Sequence, residues 1–184
     1  MRSAMARQLW LLRHAEAERH GSREDFERRL TPRGEEQARV AGRALTALEV
    51  RFDAVLFSPK VRARQTAELA VAGWEESARA QLEAHPPLAE DFRVRGALAA
   101  LRGAGADAHV LLVGHEPDLA GVIGELTGAR VELKKGGLAQ VRIDGAGGEL
   151  ALLLRPRELG LIADGGALDG DAATGAVVGG PGGG

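Results

Sequence analysis

The chain has 184 residues, 45% of them apolar, which suits one domain with a sizeable core. Lys and Arg number 24 against 26 Asp and Glu, and 3% of the residues are aromatic, so there is no basic field or set of stacking platforms, and no nucleic-acid partner is expected. Zero cysteines exclude disulfides and thiolate chemistry, and no apolar run has the length of a secretory or spanning segment; a cytoplasmic protein without a membrane partner is expected.

Residues 1–7 form an N-terminal extension to which no structural role is given. The run Leu9-Trp10-Leu11-Leu12 reads as a strand buried on both faces, and it ends in Arg13-His14. Residues 15–30 are dense in mixed charge and read as an exposed loop or a short polar helix. Thr31-Pro32 then opens a helix, with Thr31 as N-cap and a buried stripe of Ala38, Ala41, Leu45 and Leu48. Asp53–Phe57 is a second strand feeding a helix from Pro59 to about Val71, capped by Ser58, with Ala63, Ala67 and Ala70 inward. A looser stretch with Pro86-Pro87 follows, then a helix over Val94–Leu101, a strand over His109–Val113 and a helix over Pro117–Leu126. Leu138–Ile143 and Leu150–Leu154 flank a Gly-rich turn and predict a closing antiparallel hairpin. This alternation predicts an α/β domain over residues 8–161, a three-layer α/β/α sandwich around a mostly parallel sheet. Residues 162–184, mostly Gly, Ala and Asp, are expected to form a disordered tail.

The strand before His14 and the one before His115 end alike: four apolar residues, one polar or small residue, then histidine. Active sites of open α/β sheets lie at the carboxyl ends of such strands, so both imidazoles are expected in one crevice. The other three histidines, His20, His85 and His109, have no such context. The segment after the second strand adds a helix N-terminus and two arginines in its first turns, Arg62 and Arg64, to the Arg13 that precedes His14. Guanidinium forks and a helix N-terminus suit a tetrahedral oxyanion, so a phosphoryl group is the expected guest. Neighbouring guanidiniums would keep His14 neutral and nucleophilic, while His115 would be protonated once a phosphate dianion is bound. The glycines of residues 103–108 precede a strand instead of following one and are not read as a nucleotide loop. No cluster has metal-ligand spacing, and no metal or cofactor is expected.

The strings LLRHAEAE, SPKVRARQTAEL and VGHEPDLA, in this order and spacing, resemble the histidine phosphatase superfamily, whose fold is that of phosphoglycerate mutase. The short length, the LTPRGEEQA segment and the closing LLLRPRELG are most similar to SixA-type phosphohistidine phosphatases, over about residues 8–160. The resemblance implies that His14 is the nucleophile that becomes phosphorylated and that Arg13, Arg62 and His115 complete the phosphate pocket. Its Arg-Ala-x-Gln-Thr pattern selects Arg62 over Arg64. Larger members carry a general acid on an insertion before the second histidine; here that stretch is short, Glu90 and Asp91 are the near candidates, and Glu16 is an alternative.

A weak acid suits one substrate class. A departing imidazole, whose conjugate acid has a pKa near neutrality, needs little help, whereas an alkoxide must be protonated as it leaves. The expected function is therefore metal-independent hydrolysis of phosphohistidine on a signalling or phosphorelay protein, which is the expected partner. The alternatives are a phosphatase of small phosphoesters on the same fold and a non-catalytic phosphoprotein-binding module.

Overall fold

A computed structural model describes residues 7–76, 81–145 and 147–165. The expected tail lies outside the described residues from 166 onward, and most of the N-terminal extension lies outside them as well.

Six strands form one sheet: β1 (Arg7–Arg13), β2 (Ala54–Phe57), β3 (Leu82–Ala84), β4 (His109–Gly114), β5 (Leu138–Asp144) and β6 (Gly147–Leu154), in the order β3-β2-β4-β1-β5-β6. Strands β3, β2, β4 and β1 run parallel, and β5 returns antiparallel between β1 and β6. Helices α1 (Pro32–Ala47), α2 (Val61–Val71) and α5 (Pro156–Ala163) cover one face, while α3 (Val94–Ala104) and α4 (Asp118–Thr127) cover the other.

The strand sequences account for both layers. Side chains alternate across a strand, so an unbroken apolar run supplies two cores at once. Leu9 and Leu11 pack with Leu101, Leu119 and Ile123 of α3 and α4, whereas Trp10 and Leu12 pack with Leu45, Ala67 and Leu159 of α1, α2 and α5. The three-layer α/β sandwich expected from the sequence is the fold observed.

Helix α1 starts as expected: Pro32 is its first residue, and the Thr31 hydroxyl accepts the Gly34 N–H at 3.1 Å. Its inward stripe is shorter than expected, because Leu48 lies past the last turn and is exposed. Helix α2 begins at Val61, two residues later than expected, since the Ser58 hydroxyl faces the crevice described below. Two elements were not anticipated. Strand β3 is three residues long and is held by its pairing to β2. Helix α5 extends the domain to Ala163, past the expected boundary at Leu161; Pro156 opens it, and the Glu158 carboxylate accepts the Arg155 N–H. The hairpin is tighter than the Gly-rich turn expected after Ile143, with Asp144 already paired to Gly147.

The charged segment after β1 is an arm fastened at both ends. Ala17 bridges to Leu30, a 3-10 turn spans Asp25–Glu27, and Ala15, Ala17 and Leu30 bury against Ala38. Gln65 and Thr66 of α2 latch it: the Gln65 side chain accepts the Leu30 N–H at 2.9 Å, and the Thr66 hydroxyl accepts the Ala15 N–H at 3.1 Å.

Candidate active site

Strands β2, β4 and β1 are neighbours in the sheet, and their carboxyl ends carry Ser58, His115 and His14. The β1–β4 register pairs Arg13 with Gly114, and the His14 N–H donates to the Gly114 carbonyl at 2.9 Å, so the two histidines leave adjacent strands side by side. Their ring centroids are 5.1 Å apart, and the residues are only 7% and 9% exposed. The Ser58 N–H donates to the Val113 carbonyl at 3.0 Å, which ties the end of β2 into the same floor.

The partner of His14 assigns its ring proton. His14 Nδ1 lies 2.8 Å from the Ala15 carbonyl oxygen, an acceptor only; Nδ1 therefore donates, and Nε2 carries the lone pair. His115 Nε2 lies 2.8 Å from the Ser58 hydroxyl, which itself accepts the Lys60 N–H at 3.3 Å. The Ser58 hydroxyl both donates and accepts, so either ring tautomer of His115 makes this bond; its Nδ1 is buried and unpartnered.

Burial pushes the His14 imidazole down to about 3, against the Ala15 hydrogen bond, and the charges of His115, Arg62 and Arg13 act in the same direction as burial. His115 is also pushed down to about 3, by burial and then by Arg62 and Lys60. Both rings are therefore neutral near pH 7.

Arg13 and Arg62 enter from opposite sides. Arg13, on β1, donates to the Leu133 carbonyl at 2.8 Å. Arg62, at the start of α2, is buried and donates to the Asp25 backbone carbonyl at 2.6 Å and to its carboxylate at 3.2 Å. Burial lowers the pKa of each guanidinium, which remains charged. Among the described residues, five buried side-chain atoms have no hydrogen-bond partner, and three of them are Arg13 Nε, Arg62 Nε and His115 Nδ1. The His115 ring and the charges of Arg13 and Arg62 thus all act on the His14 imidazole, surroundings that suit a tetrahedral oxyanion.

The acid candidates are dispersed. The Glu16 carboxylate accepts from the Thr31 hydroxyl at 3.0 Å and pairs with Arg33, so it serves the start of α1. Glu90 has a side chain 80% exposed, with Lys60 at 3.7 Å, which places it at the rim. Asp91 is 92% exposed, with its carboxylate toward Arg93. Glu116, which follows His115, is the half-buried carboxyl: burial raises its pKa, Arg13 opposes the rise, and its Oε1 is unpartnered. Sequence reasoning missed Ser58 as a partner of His115, and it missed Asp25 altogether; the signal available was their place in the two segments that flank the crevice.

No group of three His, Cys, Asp or Glu among the described residues could hold a metal ion, and no helix among them is long and apolar enough to cross a membrane. A separate cavity of about 450 Å³, lined by Gln8, Trp10, His109 and Gln140 among others, opens at the amino ends of β1 and β4, away from this crevice.

Two histidines and two arginines at the carboxyl edge of such a sheet suit an oxyanion, and comparison with known proteins identifies the family. The model of the histidine phosphatase superfamily (branch 1) matches residues 9–92. The solved structure of the protein assigned as phosphohistidine phosphatase SixA from Nakamurella multipartitia superposes with a TM-score of 0.69 at 30% identity, covering 82% of this chain and 96% of that one. A protein histidine phosphatase SixA complexed with tungstate gives a TM-score of 0.70 at 28% identity, over 83% and 99% of the two chains. An uncharacterized protein of Picosynechococcus is 35% identical over 170 residues, 83% of this chain and 98% of its own. The chain belongs to the histidine phosphatase superfamily and is SixA-like within it. Below 25% identity, phosphatases of other substrates share the fold, which shows the architecture alone.

Proposed function

We propose that this protein is a metal-independent, cytoplasmic phosphatase that removes phosphate from phosphohistidine on a signalling or phosphorelay protein, through a phosphohistidine intermediate on His14. The observation that carries this reading is the pair of buried imidazoles 5.1 Å apart, both acted on by the charges of Arg13 and Arg62.

The reaction has two steps. His14 Nε2 attacks phosphorus as the P–N bond to the substrate ring, protonated on its other nitrogen, breaks; the departing nitrogen takes the electron pair and leaves as neutral imidazole, while the phosphorylated His14 ring keeps its Nδ1 proton and becomes cationic. Arg13, Arg62 and His115 hold the equatorial oxygens, and two guanidiniums supply the charge stabilisation a metal would otherwise give. Water then attacks phosphorus, the P–N bond to His14 breaks, and inorganic phosphate leaves. A bound dianion raises the His115 pKa, so a neutral ring in the free protein becomes a charged donor in the complex. The imidazole leaving group fits a site whose expected acids, Glu90, Asp91 and Glu16, are exposed or tied to other groups. Between α2 and β4 the described residues form β3, a 3-10 turn and α3, which fits a crevice open to a protein surface.

The test is phosphate release from a histidine-phosphorylated protein domain, beside p-nitrophenyl phosphate and sugar phosphates, with chelator present. Expected are chelator-resistant release from phosphohistidine and an acid-labile phosphate trapped on the wild type; the His14→Ala variant shows neither. Turnover of phosphoesters alone would move the substrate to small metabolites and keep the mechanism. Normal labelling of the His14→Ala variant would sink the mechanism. A phosphoprotein complex that persists for hours unhydrolysed would establish the binding-module alternative.

A further inference from the structure

Asp25 lies on the 3-10 turn of the charged arm, and three cations converge on it. Arg62 donates one terminal nitrogen to its backbone carbonyl at 2.6 Å and the other to its carboxylate Oδ2 at 3.2 Å. Lys60 Nζ donates to the same Oδ2 at 3.1 Å, and Arg28 donates to Oδ1 through Nε at 3.0 Å, with a terminal nitrogen in ion-pair contact with that oxygen at 2.9 Å. The Arg62 and Arg28 side chains are 5% and 7% exposed, so their charges are held out of water. Without an anion between them, these cations would repel one another across the arm.

A guanidinium offers a fork between its two terminal nitrogens and a second edge that carries Nε–H. Asp25 closes the fork of Arg62 with one backbone and one side-chain oxygen, and Arg62 Nε is buried without a partner. We infer that Asp25 is a positioning residue: it fixes the Arg62 guanidinium so that the Nε edge is presented to the phosphoryl group. This inference rests on the assignment of Arg62 to the phosphate pocket. Asp25 itself is no proton donor. Partial burial pushes its carboxyl up, but the Lys60 hydrogen bond and the charge of Arg62, with Arg28 behind them, outweigh burial and hold it well below the usual carboxylate range. Because the three equatorial oxygens reach their planar, in-line arrangement only in the transition state, a misplaced Arg62 costs turnover more than ground-state binding.

The test is a double-mutant cycle on p-nitrophenyl phosphate turnover, with inorganic phosphate affinity and the Arg62 Nε–H NMR signal, assigned by its loss in Arg62→Lys, as further readouts. Asp25→Ala is expected to lower kcat about tenfold, to change the phosphate Kd less than about threefold, and to shift or broaden the Nε–H signal. Asp25→Asn, which keeps the shape and loses the charge, is expected to act in the same direction more weakly and serves if the alanine variant does not fold. In the Arg62→Lys background, Asp25→Ala is expected to change kcat less than about twofold. An undiminished loss in that background, or an unmoved Nε–H signal with full wild-type kcat, would overturn the positioning role alone. Unaltered turnover and phosphate affinity in Arg62→Lys and Arg62→Ala would instead remove Arg62 from the pocket, and both readings would fall together.

Discussion

At the scale of residues, the crevice is defined by protons and their owners. His14 and His115 are both pushed down to about 3, so the free protein is expected to show two neutral imidazoles at pH 7 in an NMR titration. Saturating inorganic phosphate should raise the His115 value and leave His14 neutral; two charged rings at pH 7 in the free protein would contradict the nucleophile assignment. The acidic limb of kcat/KM should accordingly lack an inflection near 6.5, the ordinary value for histidine. Ser58→Ala leaves a buried His115 nitrogen without its 2.8 Å partner and is expected to cost about 1–3 kcal/mol of stability, measured by urea unfolding, and to lower turnover by freeing the ring's orientation. Arg13, His14 and His115 were legible in the sequence because each sits at the end of an apolar run. Ser58 and Asp25 were not, since their partners lie 57 and 37 residues away in the chain.

At the scale of elements, the site depends on how closely α1 and α2 approach. A Cβ on Gly42 of α1 would stand 2.0 Å from the Ala70 carbonyl oxygen of α2, and one on Gly34 would stand 1.9 Å from the Glu16 carbonyl oxygen, two residues past His14. Gly42→Ala is therefore expected to destabilise the fold by about 1–3 kcal/mol in urea unfolding, despite the better helix propensity of alanine. Gly34→Ala should act additionally on turnover, because the backbone it displaces leads from His14. The starts of α1 and the long strands were readable from caps and apolar runs. Strand β3 and helix α5 were not: three residues carry no periodicity, and α5 contributes a single fully buried side chain, Leu159. The expected cap of α2 failed for a related reason, because a serine hydroxyl before Pro59 serves a helix or an imidazole equally well until the imidazole is known to be there.

At the scale of the molecule, buried imidazoles make stability depend on pH. Each folded-state value lies below the unfolded value of 6.5, so its stabilisation is complete above 6.5 and is lost as pH falls toward about 3. Asp25, depressed further, adds a loss in the same direction below the ordinary carboxylate range. Thermal unfolding is expected to show stability falling between pH 6.5 and 3 by roughly 1 kcal/mol per pH unit for each buried ring, with a shallower slope in His115→Asn. A slope unchanged in that variant would count against the buried neutral ring. Inorganic phosphate should raise the Tm at pH 7 in wild type and fail to do so in Arg62→Ala, since a ligand of the folded state stabilises by mass action.

The sequence by itself determined the sheet strands that matter and the ends they present. Unbroken apolar runs such as Leu9–Leu12 and Val110–Val113 must be covered on both faces, and that requirement already demands helices on either side of a largely parallel sheet. It also placed a histidine just past each of those runs and an arginine in the first turn of the helix after Phe57. Only the tertiary structure decided that β4 lies between β2 and β1, which brings Ser58, His115 and His14 onto adjacent strands. It alone folded the charged arm back so that Asp25 meets Arg62, Lys60 and Arg28. Burial and backbone hydrogen bonding are local demands that a run of residues carries with it. Strand order and long-range ion pairs depend on distances between segments far apart in the chain, and those exist only once the layers have closed.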